Sequence, residues 1–132
     1  MARILVIDDD QPVRAAIAVV LETAGFEVVT AADGRAGKAV AETTRFDVTI
    51  VDLFMPHMDG LETIRSLRHS CPDMPIIAVS GALSLFDFRD VAEPPPDYLS
   101  MATDLGAITA VQKPFQPREL IRAVRESIAA HA

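Results

Sequence analysis

Acids, a hydroxyl and an ammonium each close a short apolar run in this chain. Asp8-Asp9-Asp10 follows Ile4-Leu5-Val6-Ile7, and Asp52 follows Val48-Thr49-Ile50-Val51. Ser80 follows Ile76-Ile77-Ala78-Val79, and Lys113 stands just beyond Ile108-Thr109-Ala110-Val111. If these runs are parallel strands of one sheet, all of these groups emerge at its carboxyl edge, where open α/β sheets bind ligands. Three carboxylates brought together there, Asp8, Asp9 and Asp52, repel one another unless a cation neutralises them. An oxygen-only donor set suits Mg²⁺, with Mn²⁺ as a substitute, and Mg²⁺ is usually shared with a phosphate. A carboxylate is also a nucleophile toward phosphorus, and Asp52, beside the acid pair, is the natural acceptor. Lys113 would add a fixed positive charge and Ser80 a hydrogen-bond donor, which is most of what phosphoryl transfer needs. Plainer readings compete for each group. Asp8 to Asp10 can merely cap a helix, Lys113 can be a solvated surface charge, and Ser80 a turn hydroxyl before Gly81.

The intervening sequence supplies elements that would hold these groups. Asp10 can cap a helix that has Pro12 in its first turn and Gly25 at its stop. Val13, Ile17, Val20 and Leu21 form its apolar stripe. Glu27 to Thr30 reads as a strand, and Asp33-Gly34 opens a helix to about Thr43 with Ala36, Ala39 and Val40 inward. Asp47 to Asp52 is a strand, and Gly60 to His69 a helix with Leu61, Ile64 and Leu67 inward. A last helix from Pro117 to Ala130 carries Leu120, Ile121, Val124 and Ile128. Strands alternating with helices predict a parallel sheet covered on both faces. Residues 81–105 break the rhythm. Pro94-Pro95-Pro96 cannot lie inside a helix, so a long loop is expected there, followed by a short helix capped by Asp97.

Composition narrows the class. The chain has 132 residues, half of them apolar, enough for one domain, residues 1–132, with a real core. Its net charge of −7 argues against nucleic acid or an anionic membrane as a direct partner. The single cysteine, Cys71, excludes an internal disulfide and fits a reducing compartment. No signal peptide and no membrane-length apolar run is present, so a cytoplasmic protein is expected. His57, His69 and His131 show no metal-ligand spacing. No serine elbow, P-loop or dinucleotide glycine motif occurs.

Taken together, the segments Ile4-Leu5-Val6-Ile7-Asp8-Asp9-Asp10, Val51-Asp52-Leu53-Phe54-Met55-Pro56-His57-Met58-Asp59-Gly60, Ala78-Val79-Ser80-Gly81, Gly106-Ala107 and Lys113-Pro114-Phe115 resemble the receiver domain of bacterial two-component response regulators. The resemblance implies a flavodoxin-like, doubly wound five-stranded parallel sheet of order 2-1-3-4-5. It implies Asp52 as phosphoacceptor, with Mg²⁺ held by Asp8, Asp9, Asp52 and the backbone carbonyl of Phe54. Ser80 would be the switch hydroxyl and Lys113 the phosphate-sensing ammonium. The donor would be a histidine kinase or histidine phosphotransfer protein, meeting the first helix around Gln11, Arg14 and Ala18. The receiver would catalyse only its own phosphorylation and dephosphorylation, and signal to a downstream protein.

Two departures from the family pattern stand out. The aromatic residue usual three positions before the lysine is Ala110 here, and the connection from Ser80 to Lys113 is about ten residues longer than expected. Ordering of the loop from Leu83 to Pro96 on phosphorylation would replace the missing aromatic switch. Neither Phe54 nor Ala82 can orient an attacking water, so a long-lived phosphoaspartate is expected. The chain ends at Ala132, which reads as a stand-alone receiver. The alternatives are a pseudo-receiver, acting as an interaction module without phosphorylation, and a Mg²⁺-dependent phosphohydrolase. The hydrolase would want an acid where Phe54 stands.

Overall fold

The computed structural model describes residues 2–53, 60–80, 109–112 and 116–130, with Ser80, Ala110 and Gln112 described by their backbone alone. Five strands, β1 (Arg3–Ile7), β2 (Glu27–Ala31), β3 (Val48–Asp52), β4 (Ile76–Ser80) and β5 (Thr109–Gln112), lie in the order β2-β1-β3-β4-β5. Every neighbouring pair is parallel. Four helices are described: α1 (Gln11–Thr23), α2 (Gly34–Thr43), α3 (Gly60–Ser70) and α4 (Pro117–Ala130). The expected α/β class with a parallel sheet is what forms.

Strand residues alternate between faces, and the core divides accordingly. Ile4, Val6, Val48, Ile50, Ile77 and Val79 pack with Ile17 and Leu21 of α1 and Leu120 and Val124 of α4. Leu5, Ile7, Val51, Ile76 and Ala78 pack with Ala41 of α2 and Ile64 and Leu67 of α3. Because β1 and β3 are covered on both sides, they read as unbroken apolar runs. Thr49 is the polar exception within the apolar run of β3, ahead of Asp52 at its end. It is fully buried, and its hydroxyl donates to the Met74 Sδ at 3.1 Å.

Helix boundaries follow the capping chemistry. The Asp10 carboxylate accepts from the Val13 N–H, Pro12 sits in the first turn, and Gly25 adopts φ 100° past the end of α1. Asp33 caps α2 through the Ala36 N–H at 2.8 Å. One expectation fails in α2. Ala36 and Ala39 are exposed, and the buried positions are Gly34, Gly37 and Ala41. The physical reason lies at Gly37, where a Cβ would collide with the Ile7 side chain. The inward face is marked by missing side chains, which a search for apolar residues passes over.

The expected loop from Leu83 to Pro96 and the short helix capped by Asp97 lie outside the described residues. Among the described residues, no helix is long and apolar enough to cross a membrane.

Candidate functional site

Parallel register delivers the acids to one place. Ile7 of β1 lies opposite Val51 of β3, so one step further along each strand brings Asp8 beside Asp52. On the other flank of β3, Asp52 pairs with Val79, and Ser80 pairs with Gln112. The carboxylate oxygens of Asp8, Asp9 and Asp52 all lie within 4.8 Å of one another. Asp8 and Asp52 are only 2% and 6% exposed, whereas Asp9 faces solvent. The cluster is thus walled by protein on one side and open on the other.

The local chain fixes this arrangement tightly. The Asp8 N–H donates to the Ala31 carbonyl at 3.2 Å, and the Asp10 N–H donates to Asp8 Oδ1 at 2.9 Å. Arg14, one turn into α1, donates from Nη1 to the Asp8 carbonyl at 2.7 Å. On β3, the Leu53 N–H donates to the Val79 carbonyl at 2.9 Å, and the Gly60 N–H donates to the Leu53 carbonyl at 3.1 Å. A Cβ on Gly60 would run into the backbone of Asp52 and Leu53. Close approach at this glycine therefore sets where α3 begins relative to Asp52.

The donor set fits a hard divalent cation. All three ligands are carboxylate oxygens, the chemistry preferred by Mg²⁺ and Mn²⁺ over softer metals. At the ~2.1 Å bond length of Mg²⁺, octahedral donors stand roughly 3 to 4.2 Å apart, so the observed grouping closes on one ion with small adjustments. Like charges this close favour a cation between them.

Of the residues expected at the site, Asp8, Asp9 and Asp52 are brought together. Ser80 ends β4 on the same sheet edge, one strand from Asp52. Lys113, the residue after β5, and Phe54 with its backbone carbonyl lie outside the described residues. Two positioning features escaped the sequence reading. Arg14, read there as part of a partner-facing surface, is half-buried with its guanidinium turned onto Asp8. Gly60 was read as a helix start and not as a close approach. The signal for Arg14 was its spacing, six residues after Asp8 on the first turn of a capped helix.

Residues 4–125 match the response regulator receiver domain family, and the chain belongs to it. It is 32% identical over 118 residues to the alkaline phosphatase synthesis transcriptional regulatory protein PhoP of Bacillus subtilis, covering 89% of this chain and 45% of that protein. It is 35% identical over 123 residues to the response regulator MprA of Mycolicibacterium vanbaalenii, covering 93% of this chain and 48% of MprA. The chain thus spans about half the length of the curated relatives it matches. Among solved structures, the chemotaxis protein CheY4 of Vibrio cholerae is similar at a TM-score of 0.80 and 32% identity, with 96% of this chain and 98% of CheY4 covered. A CheY-like receiver domain protein of Methanospirillum hungatei reaches a TM-score of 0.86 at 27% identity, with 99% and 96% covered.

Proposed function

We propose that this chain is a phosphoacceptor receiver on a flavodoxin-like frame of order 2-1-3-4-5, taking a phosphoryl group on Asp52 in a two-component system or phosphorelay. The observation that carries the reading is the grouping of Asp8, Asp9 and Asp52 carboxylate oxygens within 4.8 Å. A carboxylate oxygen of Asp52 attacks the phosphorus of a phosphohistidine on a kinase or phosphotransfer protein. The new O–P bond forms as the N–P bond breaks, and the released imidazole nitrogen takes up a proton. Mg²⁺, when bound, neutralises the oxygens of the transferring group. Asp8, Asp9 and Asp52, with the Phe54 carbonyl, would hold the cation. Lys113 pairs with a phosphoryl oxygen, and the Ser80 hydroxyl donates to another. The change in charge at this edge then alters contacts with a downstream protein in the cytoplasm. Contact with nucleic acid or membrane is no part of the scheme, and no small substrate is turned over.

Incubation with acetyl phosphate and Mg²⁺, followed by intact mass, tests this. One base-labile phosphoryl adduct is expected on the parent and none on Asp52→Asn. The pseudo-receiver alternative predicts no adduct under conditions that label a control receiver, and the hydrolase alternative predicts steady release of phosphate from small esters. We further expect slow decay of the adduct, because Phe54 supplies no group to orient water. Phe54→Asn should shorten the lifetime several-fold after donor removal, and an unchanged decay would count against that role.

A further inference from the structure

Arg14 spends its charge on a main-chain oxygen. Its Nη1 lies 2.7 Å from the Asp8 carbonyl, the short distance of a charge-assisted hydrogen bond. The bond completes a closed set. The Arg14 N–H donates to the Asp10 carbonyl at 2.9 Å, the Val13 N–H to Asp10 Oδ1 at 3.3 Å, and the Asp10 N–H to Asp8 Oδ1 at 2.9 Å. On its other side Asp8 is tied to β2 through Ala31. The peptide of Asp8 is therefore held by two separate elements, and its carboxylate by Asp10.

We propose that Arg14 is a positioning residue for the acid cluster: by holding the Asp8 carbonyl it aims the Asp8 carboxylate and so sets the affinity for Mg²⁺. The inference rests on reading Asp8, Asp9 and Asp52 as the Mg²⁺ ligands. Arg14 has two effects of opposite sign. Its positive charge repels an incoming cation, so charge alone predicts that its removal tightens binding. Its hydrogen bond fixes a ligand, so position predicts that removal weakens binding. Position dominates because Arg14 reaches the cluster through the Asp8 main-chain carbonyl and not through a carboxylate, and Asp9 on the solvent side lets water and salt screen its charge. Partners that orient metal ligands commonly govern affinity by one to two orders of magnitude.

The test is a Mg²⁺ titration of the unphosphorylated full chain, followed by amide NMR shifts, with urea unfolding run in parallel. Arg14→Met should weaken Mg²⁺ binding about tenfold. Arg14→Lys keeps the charge and a donor but not the planar reach, and should recover most of that loss, ending about threefold weaker than the parent. Equal or tighter binding by a folded Arg14→Met overturns the proposal while leaving the Mg²⁺ site intact. If Arg14→Met does not fold, Arg14→Lys decides: about threefold weaker binding supports the proposal, and parity or tighter binding overturns it. A parent that binds no Mg²⁺ sinks the receiver reading and this inference together.

Discussion

The two faces of the sheet are packed by different means. On the face covered by α1 and α4, large side chains fill the space: Ile17, Leu21, Leu120 and Val124 meet Ile4, Val6, Ile50 and Val79. On the opposite face, closeness is achieved partly by leaving side chains out. Helix α2 buries Gly34, Gly37 and Ala41, and α3 begins on buried Gly60. Two of these residues, Gly37 and Gly60, sit beside the acid-bearing strand ends. Ile7, which precedes Asp8, occupies the space at Gly37, and the Asp52–Leu53 backbone occupies the space at Gly60. Both faces supply burial energy, and the second also sets distances near the site.

That contrast predicts that alanine destabilises the two faces for opposite reasons. On the first face, Leu120→Ala removes a fully buried side chain and should cost about 3 to 4 kcal/mol in urea unfolding. On the second face, adding a methyl group should destabilise. Gly60→Ala meets backbone that cannot rotate away, so about 3 kcal/mol is expected. The displaced Asp52 should also be labelled by acetyl phosphate more than ~10-fold more slowly, since small misplacements of a reacting group are costly. Gly37→Ala meets only the Ile7 side chain and should cost about 2 kcal/mol. The labelling rate of its folded fraction should stay close to the parent's. Equal loss of labelling in both glycine variants would break the distinction between a spacing that positions Asp52 and one that only packs the core.

The same contrast explains what could be read from sequence. The α1 and α4 stripes follow helical spacing of large apolar residues, and Ile17, Leu21, Leu120 and Val124 are buried as that spacing predicts. The caps at Asp10 and Asp33 were legible because a carboxylate before a helix has one obvious use. The three acids were legible because each follows a buried strand, and parallel register turns that position into proximity. In α2 the apolar signal pointed to Ala36, Ala39 and Val40; Val40 does pack partly against the core, but the buried positions are Gly34, Gly37 and Ala41. A glycine's packing role depends on which atom approaches it, and that atom belongs to a distant strand. Arg14 was hidden for a related reason: its partner is a main-chain carbonyl, which has no letter in the sequence.

The smallest effects separate the two helix caps. Asp33→Ala removes the acceptor for the Ala36 N–H at 2.8 Å and should cost about 1 kcal/mol, with Mg²⁺ affinity unchanged, because α2 lies on the other side of the sheet from the Asp10–Arg14 turn. Asp10→Ala should cost a similar ~1 kcal/mol and also weaken Mg²⁺ binding, since its carboxylate belongs to the hydrogen-bonded set that includes Asp8 and Arg14. Loss of a nearby negative charge would weaken the cation too, so the alanine variant alone does not tell geometry from charge. Asp10→Ser does. Serine caps as well as aspartate but is neutral, so stability should return in urea unfolding. If Mg²⁺ affinity returns with it, the cap acts on the site through geometry. If stability returns and affinity does not, Asp10 serves the site by its charge, and the coupling between α1 and the acid cluster runs through Arg14 alone.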